Sequence, residues 1–429
     1  MITALAVVAF LAAYILIATE RIHRVAAAFW GAAVMVVLGQ VTSESAFFSE
    51  ETGIEWNVIF LLLGMMILVG VIKQTGAFEF LAIWSAKRAR GKPFRVMVML
   101  VVITAVASAL LDNVTTVLLI APVTLLVCDR IGAPAIPFLI SEAMASNIGG
   151  AGTLIGDPPN IIIASRAGLS FNDFLAHMLP VVVLLMVVFI GLMKLMFGKQ
   201  LVYDAERAAD LMRLSEKDAI HDPRLLISSG VILAGVMVGF VTHSITGLDP
   251  SMVALLGAGA AVAVSRLEPR DYLADVEWST LAFFAGLFVM VGGLVHTGII
   301  ADMGDWLTAR LGTNWLLGST VLIWISGALS AIVDNIPYVA TISPLVADLT
   351  HGTSGAGPES LWWALALGAD LGGNATAVGA SANVVVIGIA ARNGHRISFW
   401  TFTKYGLVVA SVTIAVAWAY VALRYFALA

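Results

Sequence analysis

The sequence predicts an all-α polytopic membrane protein of two inverted repeats, with about ten transmembrane helices, two re-entrant hairpins and two broken helices. Three observations lead there. Of 429 residues, 60% are hydrophobic and only 12% charged, with a mean hydropathy of +0.97, whereas soluble domains carry about a quarter charged residues. Second, the chain repeats itself. Glu55-Trp56 returns 222 residues later as Glu277-Trp278, Thr75-Gly76 as Thr297-Gly298, Asp112-Asn113 as Asp334-Asn335 and Pro122 as Pro344. After one inserted residue, Gly149-Gly150, Thr153, Gly156 and Asn160 return at a spacing of 223 as Gly372-Gly373, Thr376, Gly379 and Asn383. Third, five crossings and one hairpin per repeat, with the N-terminus outside, put twenty of the 23 Lys and Arg on or near the cytoplasmic side. Only Arg166, Arg310 and Arg424 then fall outside, as the positive-inside rule expects. An odd number of crossings inserts the second repeat upside down relative to the first.

The first repeat occupies 1–197. Its runs 2–17, 25–41 and 58–72 are each apolar and long enough, with their flanks, to cross the bilayer. The first run lacks a basic start and a small-residue cleavage site, so it reads as a retained span. Glu44, Glu50, Glu51 and Glu55 fall in an outside loop. Stretch 78–89, ending in Lys87 and Arg88, and its mate 300–311 have the charge and aromatic pattern of helices lying in the interface.

A re-entrant hairpin follows over about 94–128, its apolar halves 96–111 and 117–127 flanking Asp112-Asn113. Neither half looks long enough to span comfortably. The second hairpin, about 315–350, turns at Asp334-Asn335. A broken helix covers about 136–165, where four glycines and two prolines between Ser146 and Asn160 forbid continuous hydrogen bonding. Its mate covers about 359–390. Unwound backbone at membrane depth has to be shielded by protein or line a wet cavity. Span 181–195 closes the repeat, and the polar stretch 198–224 reads as a cytoplasmic linker helix of mixed charge. The second repeat, 225–429, has spans at 225–241, 281–295 and 406–420.

A carboxylate in mid-membrane costs roughly 2.5–3.5 kcal/mol on insertion scales and marks function by default. Asp112, Asp334, Asp157, Asp370 and Glu142 are therefore the expected proton- or ion-coupling residues. Asp112 and Asp334 also suit the N-cap of each second hairpin arm. Asp157 and Asp370 have no acidic mate, facing Ala380 and Asn147 in the repeat, which points to function more than scaffold. Asn113, Thr115, Thr153, Asn160, Asn335, Thr376 and Asn383 stand at half-helix ends and are the expected substrate-binding groups. There, N–H dipoles favour an anion and unwound carbonyls a hard cation, so both ligand signs stay open.

The lone Cys128 excludes a disulfide framework within the chain, and His177, His243 and His296 sit near span ends as interfacial residues. No H-E-x-x-H, paired C-x-x-C or phosphate loop occurs, so we expect no cofactor, no resident metal and no ATP hydrolysis. An aspartyl protease dyad of Asp112 and Asp334 would need one proton shared at about 3 Å. The Gly-x-Gly-Asp pattern of such proteases is missing around both.

The run Leu111-Asp112-Asn113-Val114-Thr115-Thr116, then Pro122, then Asn147-Ile148-Gly149-Gly150-Ala151 and Ile155-Gly156-Asp157-Pro158-Pro159-Asn160, resembles the ArsB/NhaD permease group of the ion transporter superfamily. Within that group the chain is similar to the branch resembling the melanosomal P protein, over nearly its whole length. The resemblance implies an architecture shared with divalent-anion/sodium symporters. Their Ser-Asn-Thr hairpin tips match the stretches beginning at Asp112 and Asp334, and their Thr-Pro-Pro-Asn loop matches Asp157-Pro158-Pro159-Asn160. Here Asp replaces the expected Ser or Thr at 112, 334 and 157, which disfavours a dicarboxylate substrate and sodium symport.

The implied activity is secondary active transport, not enzymatic chemistry. It would be proton-coupled efflux of arsenite or antimonite across the cytoplasmic (inner) membrane by an elevator-like motion. A sodium/proton antiporter of the NhaD kind and an anion channel or transporter like the P protein are the alternatives. Expected partners are the small inorganic substrate, protons or sodium, and the lipid bilayer. There is room for a soluble ATPase subunit and a homodimer, and no role for nucleic acid.

Overall fold

Among the residues that the computed structural model describes, 2–19, 21–49, 52–213, 215–311 and 314–428, all regular structure is helical. The chain opens with α1 (Ile2–Thr19), α2 (Arg24–Val37), a short α3 (Ser43–Phe47), α4 (Trp56–Lys73) and α5 (Ala77–Arg88). Next come α6 (Pro93–Leu110), α7 (Asn113–Ile131), α8 (Ala135–Gly150), α9 (Pro158–Ala167) and α10 (Phe171–Phe197). The linker holds α11 (Ala205–Met212). The pattern then recurs as α12 (Pro223–Thr246), α13 (Pro250–Ser265), a short α14 (Pro269–Leu273), α15 (Trp278–His296) and α16 (Ile299–Leu311). It ends with α17 (Trp315–Ser330), α18 (Asn335–Thr350), α19 (Ala356–Gly372), α20 (Ser381–Arg392) and α21 (Phe399–Ala422). Glu50 and Glu51 of the expected outside loop lie outside the described residues.

Apolar helices face outward and polar groups face inward. Within the most apolar windows of α12, α1 and α10, only 22%, 28% and 28% of residues are buried, against 67% in α4 and 72% in α15. Exposed Val231, Val238 and Ile245 on α12, with Val183 and Val187 on α10, present hydrocarbon where a soluble protein would present charge. This is the surface of a polytopic membrane protein, and eight of the described helices are long and apolar enough to cross a bilayer.

Two length expectations change. α6 and α7, at 18 and 19 residues, each reach spanning length, so the first hairpin's arms are not short. Helix α7 runs on until Gly132 takes the left-handed conformation at φ 68° and stops it. In the opposite sense, the run at 25–41 yields an α2 of only 14 residues, because the chain turns at Gly39, φ 71°.

The repeats interlock. α4 packs on α13 of the other repeat and α15 on α2, while α7 packs on α20 and α18 on α9. Within each repeat, α6 meets α8 and α17 meets α19. Those two contacts are close because glycine faces backbone. A Cβ on Gly149 would lie 2.3 Å from the Ala105 carbonyl oxygen, and one on its repeat mate Gly372 2.4 Å from that of Gly327.

The linker is a strap rather than a free connecting helix. Its turn at Glu216–Ala219 packs on α5 and α11 packs on α7. Lys87 Nζ meets Glu216 Oε2 at 2.6 Å, and the His221 amide donates to the Thr75 carbonyl at 3.0 Å. A Lys87→Glu substitution places like charges in contact and should speed limited proteolysis within 201–222 severalfold; an unchanged cleavage rate would show that the strap does not depend on this pair. In the second repeat α16 instead exposes Trp306 beneath the Arg310 guanidinium, 4.6 Å from the ring centroid, in keeping with an interfacial helix.

Candidate functional site

The hairpin tips and the two helix breaks converge on one buried polar centre. Each tip begins a helix. Asp112 caps α7, accepting from the Thr115 amide at 2.7 Å, and Asp334 caps α18, accepting from the Ile336 amide at 3.3 Å. Capping satisfies amides that the helix itself leaves without partners. It also aims the next residue of each tip inward. Asn113 and Asn335, repeat mates on separate hairpins, both donate to the same oxygen, Asp157 Oδ2, at 3.0 and 3.1 Å.

Asp157 holds the N-cap position of α9 yet makes no cap with its side chain. The local sequence explains this. Pro158 and Pro159 occupy the first helical positions and have no N–H to offer, so the carboxylate is released to bind the hairpins. Its other oxygen, Oδ1, is buried without a hydrogen-bond partner. Both oxygens of Asp370, on α19, are likewise buried, with no well-aligned hydrogen bond and the Asn160 side chain within reach. Asp370, Asp334 and Asp112 all lie within electrostatic reach of Asp157.

The breaks are held open by amide clamps. Asn160 Nδ2 donates to the carbonyls of Gly150 and Thr153 at 3.4 and 3.0 Å, and Asn383 Nδ2 to those of Gly373 and Thr376 at 2.8 and 2.9 Å. These are repeat-equivalent contacts that occupy carbonyls freed by unwinding. Thr153 and Thr376 pin each break to the first arm of its hairpin, donating to the Ala109 and Ala331 carbonyls at 2.5 and 2.6 Å. Their O–H groups are thereby committed, and Thr115 lends its backbone amide to the Asp112 cap. The side-chain amide oxygens, Oδ1, of Asn160 and Asn113 remain open to a ligand.

Glu142 is not drawn into this group. It accepts from Thr124 on α7 at 2.5 Å, and its second oxygen is buried without a hydrogen-bond partner. Asn147 is drawn in, accepting from Asn113 at 3.2 Å and donating to Asn374 and Asn383 at 2.9 and 3.2 Å. Asn147 and Asn374 were legible in the sequence, since both lie in the broken motifs and Asn147 is the repeat mate of Asp370. Arg24 and Ser381 carried no such signal. Arg24 Nη1 reaches Ser381 Oγ at 2.8 Å and Asp334 Oδ2 at 3.6 Å.

The centre is closed to solvent, with Asp157, Asp370, Asn147, Asn160 and Asn383 all at 0% exposure. The large cavity lies elsewhere. About 1000 Å³ opens between α4, α9, α15, α16 and α18, lined by Glu55, Trp56, Arg166, Ala347, Asp348 and His351 among others. Arg166 Nε pairs with Glu55 Oε1 there at 3.1 Å. What the centre can do chemically follows from its open atoms. Asp157 Oδ1, the Asp370 carboxylate and the side-chain Oδ1 atoms of Asn113 and Asn160 await donors, whereas among the described residues the buried open donor seen at this centre is Asn374 Nδ2.

Known proteins share both sequence and fold. The transporter Rv2684 of Mycobacterium tuberculosis is 55% identical over 424 residues, covering 99% of each chain. The human P protein is 32% identical over 491 residues, which cover 95% of this chain and 58% of that protein. The crystal structure of the Alcanivorax borkumensis YdaH transporter superposes with a TM-score of 0.62 at 15% identity, over 95% of this chain and 99% of that one. The protein is thus a membrane transporter and not an enzyme. Because the citrate transporter family model matches residues 14–368, most of the chain, the chain belongs to the citrate transporter family.

Proposed function

We propose that this protein is a proton-coupled secondary transporter of the ArsB/NhaD type that exports arsenite or antimonite. The observation that carries this reading is the surplus of acceptors at the closed centre. Arsenite at neutral pH is an uncharged trihydroxide, bringing three O–H donors and no negative charge. Asp157, Asp370 and the side-chain oxygens of Asn113 and Asn160 offer acceptors for all three. A citrate-like anion would add its own carboxylates to a centre already within reach of Asp112, Asp157, Asp334 and Asp370. Asp157 and Asp370 are the coupling carboxylates in this scheme. Asn113 and Asn335 report their state to both hairpins through the shared Asp157 oxygen.

The two repeats then insert with opposite orientation in the inner membrane, N-terminus outside, the hairpins are re-entrant, and the hairpin-bearing elements move against α1, α2 and their mates in alternating access. Everted vesicles test it. We expect energised, saturable arsenite uptake that Asp370→Asn reduces severalfold and makes less dependent on the proton gradient. Uptake unaffected by the gradient or by the substitution overturns the proposal.

A second reading rests on the same oxygens. Carboxylate and amide oxygens together form a hard-cation site, which suits a sodium/proton antiporter. Sodium-driven pH change that ignores arsenite selects it, and uncoupled current through reconstituted protein selects a channel like that alternative for the P protein. A soluble ATPase subunit or a homodimer would appear in pull-down and mass measurements on the purified membrane protein.

A further inference from the structure

Arg24 lies at the start of α2 and touches three elements at once. Its guanidinium bonds Ser381 Oγ at 2.8 Å on α20 and Thr280 Oγ1 at 3.1 Å on α15, and meets the Asp334 carboxylate at 3.6 Å at the cap of α18. The Phe283 ring, 5.5 Å away, backs it. Ser381 donates to Asp334 at 2.5 Å, and Thr280 donates to Glu277 at 2.8 Å, so two acids, Asp334 and Glu277, share this one arginine. Glu277 in turn lies within electrostatic reach of Asp112.

The network has no counterpart in the other repeat. The residues equivalent to Thr280, Phe283 and Ser381 are Val58, Leu61 and Pro158, and the stretch from Thr246 to Pro250, which leads into α13 as Arg24 leads into α2, contains no arginine. A feature that the fold itself required would recur in both halves; this one does not. It is also breakable. With side chains 30% and 20% exposed, the Arg24–Asp334 pair is screened by water and contributes little alone. It joins α2 and α15 to the tip of one hairpin and the start of one broken helix, which are the elements that the proposed motion separates.

We propose that Arg24 is a latch between the scaffold helices and the substrate-holding elements, closed by its contacts with Asp334, Ser381 and Thr280 and released when the starts of α18 and α20 move away from α2 and α15. This rests on the alternating-access part of the reading above but not on arsenite. The test therefore contains no substrate.

In the full chain, solubilised in detergent, Ala347→Cys places a thiol in the large cavity beside α18, and the native Cys128 is buried at 1% exposure and supplies the background control. If the latch holds the arrangement described, Arg24→Gln should slow alkylation of that thiol by about three- to fivefold. Asp334→Asn should slow it equally, the double variant no further, and Arg24→Lys less. An alkylation rate unchanged by Arg24→Gln, or effects of the two substitutions that multiply, overturns the latch. Should Arg24→Gln fail to give a monodisperse protein with Cys128 protected, Arg24→Lys and Asp334→Asn decide it by the same comparison. Arsenite flux, measured separately, tells failure of the substrate reading from failure of the latch.

Discussion

Asp157→Asn should eliminate coupled transport while leaving a folded protein. The asparagine carbonyl can still accept from Asn113 and Asn335, which now donate to Asp157 Oδ2 at 3.0 and 3.1 Å. What it removes is the charge and the open oxygen Oδ1. Asp157→Ala is the necessary contrast. It strands two buried amide donors on separate hairpins, at about 1–3 kcal/mol each, so it should also lower the unfolding temperature. Paired measurement of flux and unfolding temperature separates the two effects. Normal gradient-driven flux in Asp157→Asn would mean that the carboxylate is a structural acceptor and no more.

Gly149→Ala and Gly372→Ala should both destabilise the protein, and by similar amounts. The added carbon would sit 2.3 Å from the Ala105 carbonyl oxygen in the first case and 2.4 Å from that of Gly327 in the second. Neither obstacle is a side chain that can rotate away, so α8 must separate from α6, or α19 from α17. Overpacking of this sort costs about 1–3 kcal/mol or more, and here it would also shift the breaks that begin beside both glycines. Gly191→Ala on α10 meets nothing within 4 Å and is the control. Removing a helical glycine there should cost nothing and gain up to about 1 kcal/mol. Unfolding temperatures in detergent that fall for both repeat-equivalent variants and hold for Gly191→Ala are the expected result; equal behaviour of all three would mean that these helices do not meet as described.

Much of the architecture was legible because helix breakers act locally. Glycine and proline around Ser146–Asn160 stop hydrogen bonding wherever the segment lies, and α8 ends at Gly150 while α9 begins at Pro158. The caps were legible for the same reason, since Asp112 and Asp334 bind amides two or three residues ahead of them. Helix length was less so. Nothing near position 25 announces that α2 will have only 14 residues, because a turn at Gly39 also requires neighbours that accept it. The site residues divide along similar lines. Thr153, Thr376, Asn160 and Asn383 appeared as substrate groups from their place at the breaks, yet their donors bind backbone that the breaks themselves expose.

From its order of residues alone, this protein is a helical membrane transporter with two equivalent halves, each with a capped hairpin and a helix that cannot continue. Those properties depend on hydropathy, spacing and backbone chemistry within a few residues. Only the packed molecule decides that Asn113 and Asn335, 222 positions apart, meet on one oxygen of Asp157, that Glu142 stays with Thr124, and that Arg24 faces Asp334. Such meetings depend on how α7, α9, α18 and α20 cross between repeats, and crossing geometry is set by side-chain packing over long range, which no local pattern encodes.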